Sequence, residues 1–141
     1  MEATVDYDDP RSVVAGFINA MHEWELRSWD AMRAARETPD PSSYQAGVFQ
    51  GMADIFSRFC TTRQRPHGRQ GAFQKPPEYD PDRETLVDIE VVNPRRARVD
   101  TDRVAVLGGG RYRYILHKTN DRWLIDRLQH QCGDTWESAI L

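Results

Sequence analysis

The chain has 141 residues, a formal net charge of −3 and a pI near 5.8. Its composition, 39% hydrophobic and 29% charged, is typical of a globular protein and excludes a disordered chain. The mild acidity argues against a general nucleic-acid binder, and the length suits one domain with its own core. We therefore expect a single domain over residues 1–141 and no nucleic-acid partner.

Several familiar kinds of site are missing from the sequence. Neither Cys60 nor Cys132 has a Cys-x-x-Cys or Cys/His metal spacing, and neither a Gly-x-Ser-x-Gly nor a Gly-x-Gly-x-x-Gly motif occurs. The N-terminus lacks the basic and apolar regions of a signal peptide, and no apolar run approaches the roughly 18 residues of a membrane span. The sequence predicts no metal, no cofactor, no membrane segment and a cytoplasmic location.

The first predicted helix covers residues 10–36. Asp9 followed by Pro10 is a typical helix start, because aspartate caps free N–H groups and proline fits the first helical position. Pro39 and Pro41 end the helix, since proline cannot continue it. The apolar residues that recur at helical spacing are Val13, Val14, Phe17, Ile18, Met21, Trp24 and Met32.

A second helix is predicted over residues 43–60, and a loop over residues 61–82. Apolar residues recur with helical spacing in the first segment and form one broad face. The second segment has four prolines, two glycines and no periodicity, which is typical of a loop. The loop is locally basic and contains Arg65, Phe73 and Tyr79. We expect it either to be a solvated loop pinned by its aromatics or to contact a partner.

The sheet is predicted over about residues 85–130, followed by a polar tail over residues 131–141. Its densest signal is a hairpin between Arg111 and Arg127, where two apolar-rich runs flank a polar break at residues 118–121. The tail carries Trp136 and can extend the sheet or pack against it.

If side chains alternate regularly along the second strand of this hairpin, both faces of the strand are apolar. Trp123 and Ile125 point one way, whereas Leu124, Asp126 and Leu128 point the other way. Helices can cover only one of the two faces. The other face is therefore expected to be covered by a partner protein, by a second copy of the chain in a homodimer or by an end of the chain.

The order of elements predicts an α+β fold in which two N-terminal helices pack on a strongly curved, mainly antiparallel sheet of about four strands. Such a cone can hold a pocket between sheet and helices. One hypothesis is therefore a small-molecule enzyme or ligand-binding protein, in which a carboxylate takes a proton and a tyrosine stabilises an oxyanion. The pocket candidates are Trp24, Asp30, Tyr114 and Asp126.

A set of segments in one order resembles a known family. The segments are Val13–Met32, Ile55–Thr61, Pro77–Pro81, Ala97–Thr101, Tyr112–Lys118 and Trp123–Asp126. Together they resemble the immunity proteins with a nuclear transport factor 2-like (cystatin-like) fold, over about residues 10–130. The resemblance implies a cytoplasmic protein of a bacterial polymorphic-toxin system that binds and neutralises a cognate toxin. The family has no shared catalytic motif, so no catalytic residue is carried over.

Inhibition by binding is the preferred hypothesis, and an isomerase, dehydratase or cyclase of the same fold is the alternative. Tight protein binding usually depends on a few aromatic and arginine anchors. The candidates of this kind are Arg65, Phe73, Tyr79 and Arg95. Asp6, Asp8 and Asp9 are further candidates if the toxin surface is basic, as that of a nuclease would be.

Overall fold

The computed structural model describes residues 4–65, 68–69, 71–104 and 109–141. Two helices precede a five-stranded sheet. Their bounds are α1 Pro10–Ala35, α2 Gln45–Phe59, β1 Glu84–Asn93, β2 Arg96–Arg103, β3 Gly110–Thr119, β4 Arg122–Cys132 and β5 Thr135–Ala139. The residue pattern predicts the second strand over residues 97–107, of which residues 105–107 lie outside the described ranges.

The predicted start of α1 is confirmed in detail. The Asp9 side chain accepts a hydrogen bond from the backbone N–H of Arg11 at 3.0 Å, and Pro10 occupies the first helical position. Buried residues of α1 include Val13, Phe17 and Trp24, which belong to the predicted apolar face. Local capping and periodicity therefore determine where this helix begins and which side faces the core.

The strands form one antiparallel sheet in the order β1-β2-β3-β4-β5. The expected four strands become five, because Thr135–Ala139 pairs with the end of β4 instead of forming a polar tail. The strong curvature expected of a cone is not observed, and the sheet is not strongly curled. Each strand pairs with its neighbour in sequence, which leaves β1 and β5 as the two separate edges of an open sheet.

A β-bulge at Asp126 changes the faces of β4. Leu116 pairs with Ile125 and Ile115 pairs with Arg127, so Asp126 has no partner across the strands. An extra residue in one strand of an antiparallel pair shifts every later side chain to the opposite face.

The bulge corrects the prediction of a second apolar face. Leu128 pairs with Tyr114 and belongs to the hydrophobic core with Ile125. Of these two leucines, Leu124 and Leu128, only Leu124 remains on the outer face, opposite His117. A homodimer is therefore no longer needed to cover Leu128.

The core lies between the inner face of the sheet and the two helices. Gly51 allows the helices to approach, because a Cβ there would lie 3.0 Å from Cδ1 of Trp24. The Trp24 indole N–H donates to the carbonyl of Val48 at 2.9 Å, so this buried polar group is satisfied. The largest core side chains include Phe17, Trp24, Phe59, Tyr79 and Tyr114.

Two segments besides β5 are hydrogen-bonded to β4. The backbone N–H of Trp123 donates to the carbonyl of Tyr7, and that of Thr61 donates to the carbonyl of Ile125, both at 2.9 Å. The start of the chain and the start of the loop are thus both attached to one strand. Within the described ranges, neither helix has the length and apolarity that crossing a bilayer requires.

Candidate functional site

A buried set of ion pairs joins α1, the loop and the sheet. Arg69 in the loop donates to Glu25 of α1 at 3.1 Å and also donates to Glu78. The second oxygen of Glu25 accepts the backbone N–H of Tyr79 at 3.1 Å. Burial raises the pKa of Glu25, although the Tyr79 amide and the Arg69 guanidinium act in the opposite direction. The loop is therefore attached to the core by charged groups.

The same buried set continues into the sheet through Glu84. Its carboxylate binds Arg103 at 2.9 Å and accepts hydrogen bonds from Tyr114 and Thr101, each at 2.7 Å. Burial opposes the charge of Arg103, but the Glu84 carboxylate outweighs it and the pKa of Arg103 is raised. Burial and the Glu84 charge raise the pKa of Tyr114 well above its usual value. Tyr114 thus stays a neutral hydrogen-bond donor.

Glu78 connects the two halves of this set, since Arg103 lies 3.4 Å from its second oxygen. We call the group Glu25, Arg69, Glu78, Glu84 and Arg103 the buried ion network. It fills the space between sheet and loop with paired charges, as buried ionised groups require.

Tyr79 lies within the buried ion network, and this corrects its predicted role as a partner-contacting anchor. Its side chain is 0% exposed. The guanidinium groups of Arg69 and Arg103 lie 5.2 and 4.9 Å from its ring centroid, and the ring of Phe17 lies 5.4 Å away. Cations on an aromatic face and apolar packing hold this ring inside the protein, so it cannot touch a partner.

The four pocket candidates do not form one site. Trp24 is a core residue, and the Tyr114 hydroxyl is bonded to Glu84. Asp30 is exposed on α1 in a surface depression lined by Arg33, Ala34 and Glu37. The prediction that these residues share one acid-base pocket is therefore wrong, because bulky side chains and ion pairs occupy the space that the pocket would need.

Asp126, the fourth candidate, holds the loop against β4. Its carboxylate accepts hydrogen bonds from Thr61 and Arg63, both at 2.9 Å, and His117 lies 3.7 Å away. Burial raises the pKa of Asp126, but the Thr61 hydrogen bond and the charges of His117 and Arg63 outweigh it and lower the pKa. A proton-accepting carboxylate in an apolar pocket would show the opposite shift.

Arg65, predicted to contact a partner, binds the protein's own backbone. It donates to the carbonyls of Asp126 and Arg63 at 2.9 Å and of Thr61 at 3.1 Å. Its guanidinium also lies 5.7 Å from the ring centroid of Phe56. These bonds give Arg65 a structural role at the start of the loop.

Phe73 is half-buried and packs against the helices. Its ring makes edge contacts with Trp24 at 6.2 Å and Tyr44 at 6.3 Å between centroids. Such contacts stabilise the loop on the helical layer. Only the remaining exposed part of Phe73 is available to a partner.

The other candidates lie at the surface. Arg95 is exposed in the turn between β1 and β2, and Asp6 and Asp8 are exposed before α1. Asp9 is half-buried and caps the helix through the N–H of Arg11.

A groove with a volume of about 690 Å³ lies between α1, α2 and the N-terminal segment. This volume falls within the usual range of binding clefts. Small residues of α1 line it, and the Arg58 guanidinium lies 4.9 Å from the Phe59 ring centroid at its α2 side. Its lining comprises Thr4, Val5, Ser12, Ala15, Gly16, Asn19, Ala20, Glu23, Arg27, Ile55, Arg58 and Phe59.

The outer face of the sheet carries a ladder of ion pairs. Asp100 binds Arg98 at 2.6 Å and Arg113 at 2.8 Å. The Arg113 guanidinium also stacks on Trp136 at 3.9 Å. Further pairs of this ladder are Arg98 with Glu90 and Arg111 with Asp102, each at 2.8 Å. The arginines of this ladder, Arg98, Arg111 and Arg113, are therefore already neutralised by the protein itself.

Sequence reasoning missed the buried ion network, although the sequence contains one signal for it. Thr101 and Arg103 follow Ala97 and Val99 at every second position, and this periodicity places all four on the core face of β2. An arginine at a core-facing position needs a carboxylate partner. The identity of that partner, Glu84, depends on the pairing of β1 with β2.

Comparisons with known proteins agree with this geometry. The chain matches the family model described as NTF2 fold immunity protein over residues 9–139. It is 31% identical over 117 residues to the immunity protein RhsIA of Dickeya dadantii (strain 3937), and the alignment covers 82% of each chain. No solved structure matches the chain.

Proposed function

The chain belongs to the family of immunity proteins with an NTF2 fold, and from this premise we propose that it neutralises a cognate bacterial toxin by forming a stoichiometric complex with it. The toxin would belong to a polymorphic-toxin system and be encoded beside this protein. The complex would form in the bacterial cytoplasm.

The observation that carries the proposal is the filled interior. Tyr79, Tyr114 and Phe17 occupy the space between helix and sheet, and the Tyr114 hydroxyl among them is hydrogen-bonded to Glu84 and Arg103. A site for chemistry needs room for a substrate beside its reactive groups. A filled interior instead favours a function carried out by the outer surface.

Binding of this kind follows mass action, so protection should rise with the amount of immunity protein and saturate near one copy per toxin. A catalyst would protect at far lower amounts. Tight affinity can come from a few desolvated anchors, with charge complementarity accelerating the encounter.

The test is to express the neighbouring toxin gene with graded amounts of this protein and to measure cell survival. We expect survival to track the ratio of the two proteins, and native mass spectrometry of the co-purified pair to give a fixed stoichiometry. A neighbour that is harmless alone, or full protection at a small fraction of the toxin amount, would contradict the proposal.

Two variants separate binding from catalysis in the same assay. Tyr114→Phe removes the buried hydroxyl with little change of shape, and Asp30→Ala removes an exposed carboxylate of α1. We expect both variants to protect cells when they are present at wild-type levels. Loss of protection by a variant that still folds and still co-purifies with the toxin would favour the enzyme hypothesis.

A further inference from the structure

Four cations lie together at one end of the sheet. Arg96 pairs across the strands with His117, the backbone N–H of Lys118 donates to the carbonyl of Arg95 at 2.9 Å, and Arg122 pairs with Thr119. The turns after β1 and β3 therefore open at the same end. We call Arg95, Arg96, Lys118 and Arg122 the cationic end.

The cationic end differs from the ladder on the outer sheet face. Arg98, Arg111 and Arg113 of the ladder each bind a carboxylate at 2.6–3.1 Å. In the described part of the chain, none of the four cations of the cationic end has a carboxylate within ion-pair distance. Their charges therefore remain available to another molecule.

Two of these cations are held in place by aromatic rings. The Arg122 guanidinium lies 5.4 Å from the ring centroid of Tyr7, and the Lys118 ammonium lies 5.5 Å from that of Trp123. Trp123 is 4% exposed and forms part of the core, so the cation above it has a rigid support. Arginine and tyrosine, as in the Arg122–Tyr7 pair, are enriched in interface hot spots, and a pre-positioned side chain loses less entropy on binding.

Carboxylates near the cationic end do not form salt bridges with its four cations. Asp121 lies in the turn beside Arg122 with a positive φ of 62°, and Asp6 and Asp8 flank Tyr7. None of the three forms a described ion pair with the cationic end. Docking of an acidic surface would therefore not need to break an existing salt bridge.

We propose that the cationic end is the surface that docks on the toxin, and that the facing region of the toxin is rich in carboxylates. The inference rests on the proposed function and adds the chemistry of the partner to it. Exposed arginines bind carboxylates through two parallel hydrogen bonds, which fixes orientation as well as strength. Carboxylates of the toxin would also be steered to this end from a distance.

The inference reverses the expectation that Asp6, Asp8 and Asp9 meet a basic toxin. Asp9 is used as a helix cap, whereas Asp6 accepts the backbone N–H of Asp8 at 3.0 Å. These groups serve the structure of the N-terminal segment. Arg95 and Arg122 have no such internal carboxylate partner among the described residues.

The experiment compares two double charge reversals of equal size. Arg95→Glu/Arg122→Glu changes the cationic end, and Arg33→Glu/Arg36→Glu changes two exposed arginines near the end of α1 as a matched control. Association and dissociation rates with the purified product of the neighbouring toxin gene, inactivated by mutation, are measured by biolayer interferometry at 50 and 300 mM salt. Thermal unfolding of both variants checks that they are folded.

We expect the Arg95/Arg122 variant to bind at least about tenfold more weakly than the control, with a slower association rate that responds less to salt. Equal affinity of the two folded variants would overturn the inference while leaving the proposed function intact. A wild-type protein that does not bind the toxin would instead contradict the proposed function, and the inference with it.

A parallel measurement separates a protein partner from nucleic acid. Fluorescence polarisation with a labelled 20-nucleotide RNA and a 20-base-pair DNA tests whether the wild-type protein binds polyanions through the same cations. We expect no binding at 150 mM salt. Micromolar binding that the Arg95/Arg122 reversal abolishes would assign the cationic end to nucleic acid and overturn the inference.

Discussion

Arginine has opposite roles in the buried ion network and at the cationic end. Arg103 is 4% exposed and binds Glu84, whereas Arg95 is exposed and has no carboxylate partner among the described residues. Charged groups inside the protein must be paired, because unpaired charges there are very costly to desolvate. Charges at the surface need no partner and can serve binding. The same residue type therefore supports the fold in one region and recognition in the other.

The first prediction removes an arginine from the buried ion network. Arg103→Met leaves Glu84 without its cation, although Tyr114 and Thr101 still donate to it. We expect a loss of about 3–5 kcal/mol in the free energy of unfolding, because an uncompensated charge remains buried. Chemical denaturation measures this change.

The control for that prediction is Arg33→Met on the exposed side of α1, where a change within about 0.5 kcal/mol is expected. A change below about 1 kcal/mol for Arg103→Met would mean that the buried ion network contributes little beyond what a methionine side chain can supply by packing.

The second prediction concerns one hydrogen bond inside the network. Tyr114→Phe removes the donor that lies 2.7 Å from Glu84 and keeps the ring. A bond to a charged group contributes about 1.5–3 kcal/mol, so the free energy of unfolding should fall by that amount. Urea denaturation is the measurement. An unchanged midpoint with an unchanged slope would show that this hydrogen bond makes no net contribution to stability.

The third prediction uses the pKa shift of Asp126. Because the pKa is lowered in the folded protein, Asp126 stabilises the fold above the unfolded value of about 3.9, and the stabilisation is lost as pH falls through the folded value. Asp126→Asn should therefore cost about 1 kcal/mol at pH 7 and progressively less as the pH falls below the unfolded value of about 3.9. Thermal melts of both proteins across this pH range compare the two curves. Parallel curves would contradict an ionised, loop-binding carboxylate.

The smallest stability effect is expected at the cationic end. The Arg95→Glu/Arg122→Glu variant removes no ion pair described in the structure, so its free energy of unfolding should stay within about 0.5 kcal/mol of wild type. Denaturation of the same sample used for binding measures it. A large destabilisation would mean that the Arg122 contact with Tyr7 stabilises the fold. The arginines of the cationic end would then also have a structural role, as those of the buried ion network do.

The sequence predicted features whose cause is local. Asp9 and Pro10 start α1 because a cap and a proline act within one turn. The hairpin of β3 and β4 turns at Asn120 and Asp121, which both have positive φ values that these residue types tolerate. The resemblance to immunity proteins also came from short ordered segments and is confirmed by the family match.

Contacts between distant parts of the chain decided everything else about the candidate site. Glu25 and Arg69 are 44 residues apart, and Glu84 and Tyr114 are 30 apart, so no local pattern pairs them. The bulge at Asp126, which brings Leu128 into the core, depends on how β4 pairs with β3. Local propensity does not distinguish between the two faces of a strand or between possible partners. Strand pairing and burial make this choice, because their free energies arise only when separate segments come into contact. The sequence by itself determined the helices, the hairpin and the family. Only the tertiary structure decided that Tyr79 is buried, that Arg65 binds the protein's own backbone and that Arg95 is exposed.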